Sequence, residues 1–261
     1  MLGAGTVGDV VDLIQIPAGD GTAEAYLAHP AGTPKGGVLF FMDAIGLRPR
    51  IAEMADLIAS WGYLVLAPNV FYRDTDVETL RPKADLRIAE ERARFFEESG
   101  IMTFMGNLTP ERIAADNAAY VAALRDLLTR AGAAEAKLGA TGYCMGARLS
   151  TLVAGQTPGT VVAVGGFHGG RLVVEGEHSP HRALTAEAEY VYGHADNDAS
   201  MTPEHAAELE TALQAAGATY TAAIYPDAPH GYTMSDTSNW HEPSYERHVA
   251  ELKALFERTL G

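Results

Sequence analysis

Cysteine is almost missing from this chain: Cys144 is the only one in 261 residues. A single thiol excludes an internal disulfide and any zinc site built from cysteines, so its value lies either in packing as a small hydrophobe or in reactivity. Positive charge is scarce as well. Nineteen Lys and Arg stand against 34 Asp and Glu, a net charge of −15, and that field repels phosphate backbones and anionic lipid surfaces. Neither nucleic acid nor a membrane is expected as a partner. No apolar run approaches the roughly 20 residues of a membrane span. The start, MLGAGTVGDVVD, lacks the basic region and apolar core of a secretory leader. These absences predict a cytoplasmic protein. What is abundant is apolar surface, 47% of residues against 20% charged, enough to bury a sizeable core and offset the entropy of ordering it.

Short β-type runs at Val10–Ile16, Ala23–Ala28 and Gly37–Met42 open the chain, the last nearly continuous in apolar residues as in a strand covered on both faces. Helical spacing follows in Ile51, Met54, Leu57 and Ile58, and Gly62 stops it. YLVLAPNVF reads as another buried strand ending at Pro68. From Pro110 to Arg130 a helix is announced by Thr109 as N-cap and proline in the first turn. KLGATGYC, TVVAVGGF, AEYVYG and TYTAAIYP then read as strands, and MGARLSTLVAG, PEHAAELETALQAAG and YERHVAELKALFERTL as helices. This alternation predicts one α/β domain, a mostly parallel sheet with helices on both faces. Between Tyr72 and about Thr109 the chain is charged, helical in propensity and without a clean apolar seam, which predicts a lid-like insert over a pocket. Arg81, Arg87, Arg92 and Arg94 in it are candidates to meet an acidic substrate.

The cysteine sits in Gly142-Tyr143-Cys144-Met145-Gly146, where a strand meets a helix. This is the thiol form of the G-x-S-x-G nucleophile elbow, whose glycines permit a sharp, strained turn that lifts the nucleophile above the sheet edge. Unpaired N–H groups at the helix start favour a thiolate and a developing oxyanion. A nucleophile needs a base. Of nine histidines, His230 in YPDAPHGY follows a strand and precedes the last helix, where the α/β-hydrolase order of nucleophile, acid and histidine puts the base. The acid belongs in HADNDASMT, which offers Asp196 and Asp198; counting back from Pro203 favours Asp198. His178, His181, His194, His241 and His248 show neither HExxH form nor a carboxylate at ligand spacing, so no metal and no cofactor are expected.

With strand–GYCMG–helix, an Asp loop and a late PxxPHGY histidine in chain order, the sequence resembles the dienelactone hydrolase family of α/β-hydrolases from about Gly37 to its end, including PNVFYR and FHGG. The resemblance implies an α/β-hydrolase fold and a Cys-His-Asp triad: Cys144 attacks an ester or lactone carbonyl, His230 takes its proton, and Asp198, or alternatively Asp196, orients the imidazole. It also implies that Asp43 of FMDAIG occupies the place of the family's acidic residue, usually Glu, that contacts the thiol. The N–H groups of Ala44 and Met145 would then form the oxyanion hole, and Tyr72, His168 and Met234 would line the substrate site. Where the best-known members carry a carboxylate-binding arginine, four residues after the histidine, this chain has Met234. That departure predicts a preference for uncharged esters or lactones, or else a substitute arginine from the insert, Arg81 or Arg94. The expected molecule is a monomer or homodimer acting on a small ester or lactone. The rival reading is a non-catalytic thiol redox sensor or small-molecule binding protein on the same fold.

Overall fold

A computed structural model describes residues 13–261. Its centre is one eight-stranded sheet of β1 (Leu13–Ala18), β2 (Gly21–Ala28), β3 (Gly36–Phe41), β4 (Tyr63–Pro68), β5 (Lys137–Tyr143), β6 (Val161–Phe167), β7 (Glu189–His194) and β8 (Thr219–Ile224), in the order β1-β2-β4-β3-β5-β6-β7-β8. All pairings from β4 through β8 are parallel, whereas β1–β2 and β2–β4 are antiparallel. Hydrophobic alternation carries no strand direction, so the antiparallel start was not legible in the pattern. The expected strand from Val10 begins outside the described residues.

The helices are α1 (Pro49–Ser60), α2 (Val77–Leu80), α3 (Ala89–Glu98), α4 (Ile101–Asn107), α5 (Pro110–Arg130), α6 (Met145–Gln156), α7 (Pro203–Ala215) and α8 (Glu242–Thr259), with one 3₁₀ turn at Pro180–Arg182. Helix α1 buries Ile51, Met54, Ala55 and Ile58, a stripe at three- and four-residue spacing. Gly62 just beyond it has φ +106°, a conformation that L side chains rarely adopt. Helix α5 starts where Thr109 accepts a hydrogen bond from the Arg112 N–H, and Pro110 fills the first turn.

Two consecutive glycines in β3 show how the layers stack. A Cβ on Gly36 would press on Leu260 beside α8, and one on Gly37 on Leu128 and Leu124 of α5. Neighbouring strand residues point to opposite faces, so α5 and α8 cover opposite sides of the sheet. Strands β3 and β4 are buried along their whole length. Among the described residues no helix is long and apolar enough to cross a membrane.

The chain leaves β3 towards β4 on one side and returns to β5 on the other, which makes the β3/β5 boundary a topological switch point. Crevices for ligands open at the carboxyl ends of strands at such points. Because Phe41 pairs with Gly142, the segment after β3 lies beside Cys144.

Candidate active site

Cys144 links β5 to α6 with φ 54° and ψ −116°, a strained turn for a residue with a side chain. The flanking glycines are required by contact. A Cβ at Gly142 would lie 2.0 Å from the Gly146 carbonyl oxygen, and one at Gly146 2.2 Å from that of Phe41. The turn is anchored by the Cys144 N–H, which donates to the Phe167 carbonyl at 3.1 Å. The side chain stays half-buried at the start of α6.

The loop after β7 brings the Asp198 carboxylate to 2.6 Å from His230 Nδ1. Its other oxygen accepts from the Ser200 N–H and hydroxyl at 2.8 and 2.7 Å, which fixes the carboxylate's plane. Asp196 accepts instead from the Asp227 N–H at 3.1 Å and donates its own N–H to the Ala228 carbonyl at 2.7 Å. It therefore ties the two loops together without touching the imidazole. The His230 ring also lies within electrostatic reach of Cys144. Burial works against charge on His230, but the Cys144 sulfur and the Asp198 bond more than offset it and raise its pKa to about 10. Burial likewise disfavours charge on Asp198, yet the His230 and Ser200 bonds hold its pKa down at about 2.

A cavity of about 320 Å³ opens over these groups, lined by Cys144, His230, His168, Met234, Asp43 and Ala44 on the sheet side. His168 is fully buried, its Nε2 lies 2.7 Å from Thr233 Oγ1, and burial pushes its pKa far down, so it is a neutral wall group. Met234 is buried and contributes apolar surface. Among the described residues, neither the Ala44 nor the Met145 N–H donates to a protein acceptor, which leaves both free for an oxyanion. Tyr72 lies elsewhere. Its hydroxyl meets Asp20 and Asp116 at 2.8 and 2.9 Å, joining the β1–β2 turn to α5, so its expected part in binding substrate finds no support in its position.

Asp43 is in the cavity wall but engaged differently from the expectation. Its carboxylate forms a two-pronged pair with Arg48, at 2.6 and 3.1 Å, and accepts the Ile45 N–H at 3.2 Å. No hydrogen bond joins it to Cys144 among the described residues. Arg48 also holds Asp236 through Nε and Nη2 at 2.6 and 3.2 Å and the Gly46 carbonyl at 3.0 Å. Burial opposes its charge, and the Asp43 and Asp236 carboxylates more than restore it. Sequence reasoning missed this clamp. Its only signal is an arginine placed in a buried apolar loop directly before Pro49.

The insert adds to the wall Arg92, Ala93 and Phe96 from α3 and Met105 from α4. Of the candidate arginines, Arg92 reaches the cavity. Arg81 pairs with Glu78 and Arg94 with Glu91 beside a separate cavity, and Arg87 pairs with Asp85 in solvent. On a helix, Arg92 and Phe96 share a face that Arg94 cannot share. Arg92 lies 5.0 Å over the Phe96 ring, has a buried Nε without a partner, and forms no ion pair among the described residues. Burial lowers its pKa, with Asp43 and Cys144 acting in the opposite direction. No group of three or more His, Cys, Asp or Glu among the described residues is arranged to hold a metal.

A mostly parallel sheet carrying a nucleophile turn after β5, an acid after β7 and a histidine after β8 defines the α/β-hydrolase fold. Residues 23–260 match the family model described as "Dienelactone hydrolase family", and the chain belongs to that family. As a member it is a hydrolase acting on esters or lactones. A relative in Methylorubrum extorquens, named "Putative carboxymethylenebutenolidase", is 27% identical over 249 residues, 91% of this chain and 76% of that one. One of the same name in Yersinia pestis is 26% identical over 88% of this chain and 81% of its own. Among solved structures, a "Putative Dienelactone Hydrolase" from Klebsiella pneumoniae superposes with a TM-score of 0.76 at 23% identity, covering 95% and 98% of the two chains. A "Dienelactone hydrolase" from Anabaena variabilis gives 0.63 at 18%, covering 96% and 98%. At these identities the two structures speak for the fold.

Proposed function

We propose that the protein cleaves an ester or lactone through a thioester on Cys144. The observation that carries this reading is the Asp198–His230 hydrogen bond set in one cavity with a cysteine held at a helix start. His230 accepts the thiol proton as the Cys144 sulfur adds to the substrate carbonyl, and the carbonyl π electrons move onto oxygen. The N–H groups of Ala44 and Met145 stabilise that oxyanion. Collapse breaks the carbon–oxygen bond, the imidazolium proton goes to the leaving alkoxide, and the acyl group remains on sulfur. Water then gives a proton to His230 and its hydroxide adds to the thioester. Collapse expels the thiolate and completes the acid.

Asp43 acts in this scheme through the Arg48 pair, as a support for the loop carrying Ala44, and not by touching sulfur. The insert, with α3 and α4 in the cavity wall, serves as the lid of a single hydrolase domain. Arg92 revises the expected preference for neutral substrates. A cation without an acid of its own, beside the apolar wall of Phe96, Met105 and Met234, suits a compact ester or lactone that carries a carboxylate. The redox-sensor reading leaves the oriented imidazole and the two free N–H groups without a purpose.

The test is turnover of p-nitrophenyl esters and simple lactones by wild type, by Cys144→Ser and after iodoacetamide treatment. The proposal expects wild-type hydrolysis that both alterations abolish. Turnover that persists after stoichiometric alkylation of Cys144 would refute it.

A further inference from the structure

A second cavity, of about 410 Å³, lies between the start of α5, the outer side of α6 and the 3₁₀ segment. Its apolar lining comes from Leu108, Ile113 and Leu152, and Arg148 borders it from α6. The walls are set by close backbone contact: a Cβ on Gly155 of α6 would lie 2.0 Å from the Ala183 carbonyl oxygen. The segment is further tied by Ser179, whose hydroxyl accepts the Val174 N–H at 3.0 Å and lies 2.6 Å from His181 Nδ1. This is a preformed hollow, not a gap between mobile parts.

Arg148 is out of balance with its surroundings. It is half-buried, its Nε is shut off from solvent without a hydrogen-bond partner, and no acidic side chain pairs with it among the described residues. Burial lowers its pKa, the charge of Arg171 lowers it further, and Cys144 opposes both. The other charged groups lining the cavity are Arg182, Glu111 and Glu177, all on exposed residues, whose charges are screened by water far more than that of Arg148. A partly desolvated guanidinium without a counterion costs stability, and a planar carboxylate answers its fork geometry.

We propose that this cavity is a binding site for an organic monocarboxylate with a compact apolar body, its charge meeting Arg148 and its body the Leu108, Ile113 and Leu152 surface. The site is separate from the catalytic cavity, whose cation is Arg92, and its occupancy does not depend on Cys144 chemistry.

The experiment uses full-length protein with Cys144 carbamidomethylated, which removes the thiol chemistry, and calorimetric titration with benzoate and octanoate, with benzamide as the neutral counterpart. One molecule of carboxylate should bind per chain, benzamide at least ~10-fold more weakly. Arg148→Gln should weaken carboxylate binding by ~10-fold or more, while Arg92→Gln changes it less than about 2-fold. No saturable binding, or loss with Arg92→Gln and not with Arg148→Gln, would overturn the proposal. A ligand-free readout guards against a folding artefact. If Arg148 is kept for a ligand at a cost to the fold, Arg148→Met raises Tm by about 2–4 °C. A fall in Tm on that substitution would make Arg148 a structural residue and overturn the site.

Discussion

The rim of the sheet and the insert above it are built in opposite ways, although both face the same cavity. At the rim, Asp43 and Arg48 are only 5% and 3% exposed, Asp198 has both oxygens occupied, and the nucleophile turn admits only glycine at its two flanks. In the insert, α3 buries no residue and α4 buries only Ile101. Most ion pairs there are short-range and solvent-exposed, worth little each. Displacement is costly at the rim, and local opening is cheap in the insert. On the proposed reading, the rim performs the reaction and the insert decides what reaches it.

The largest contrast should appear in stability. Arg48→Met leaves the Asp43 carboxylate buried and unpaired and should cost about 3–5 kcal/mol. Arg94→Gln in the insert should stay within about 0.5 kcal/mol. Urea denaturation of both variants measures the difference, and equal effects would break the comparison. Next in size is the acid. Asp198→Asn should lower kcat on the order of 10²-fold or more by spoiling the tautomer and orientation of His230, and Asp196→Asn should cost much less. Steady-state kinetics with the reverse ranking would move the role to Asp196. A smaller effect belongs to the insert: Arg92→Met should cut kcat/KM for a carboxylate-bearing lactone about 10-fold or more and leave its methyl ester nearly unchanged. An equal loss on both would make Arg92 a packing residue.

The smallest effect is in the pH dependence of unfolding. Asp198 is depressed to about 2, so its contribution is complete above its ordinary value of 3.8 and is lost as pH falls towards 2. His230 is raised to about 10, so its contribution is complete below 6.5 and is lost as pH rises through 10. The pair therefore stabilises the fold most between about pH 4 and 6.5. Melting curves of wild type and His230→Ala should diverge most in that window. A difference that grows above pH 8 would contradict the assigned directions.

How much of this was legible in the sequence follows from how local each constraint is. The elbow could be read because Gly142 and Gly146 are demanded by contacts within a few residues of Cys144. Asp198 was the favoured acid by distance from Pro203, and the structure has it on the imidazole. The Arg48 clamp escaped notice because its partner Asp236 is 188 residues away, and no periodicity encodes such a pairing. Arg92 was one of four candidates because AEERARFFEE offers no apolar seam to say which face turns inward; the half-buried Phe96, packed against the core and lining the cavity with Arg92, marks the face. Tyr72 lay beside a recognisable motif, yet its hydroxyl is committed to Asp20 and Asp116, a tertiary contact that local pattern does not contain.

The central claim is that Cys144 carries the acyl group. Acid quenching within the first turnovers on p-nitrophenyl butyrate, followed by peptide mass spectrometry, tests it directly. The account predicts a p-nitrophenol burst matched by a butyryl adduct on the Cys144 peptide that hydroxylamine removes. A burst with the adduct on another residue, or undiminished turnover in Cys144→Ala, would contradict it.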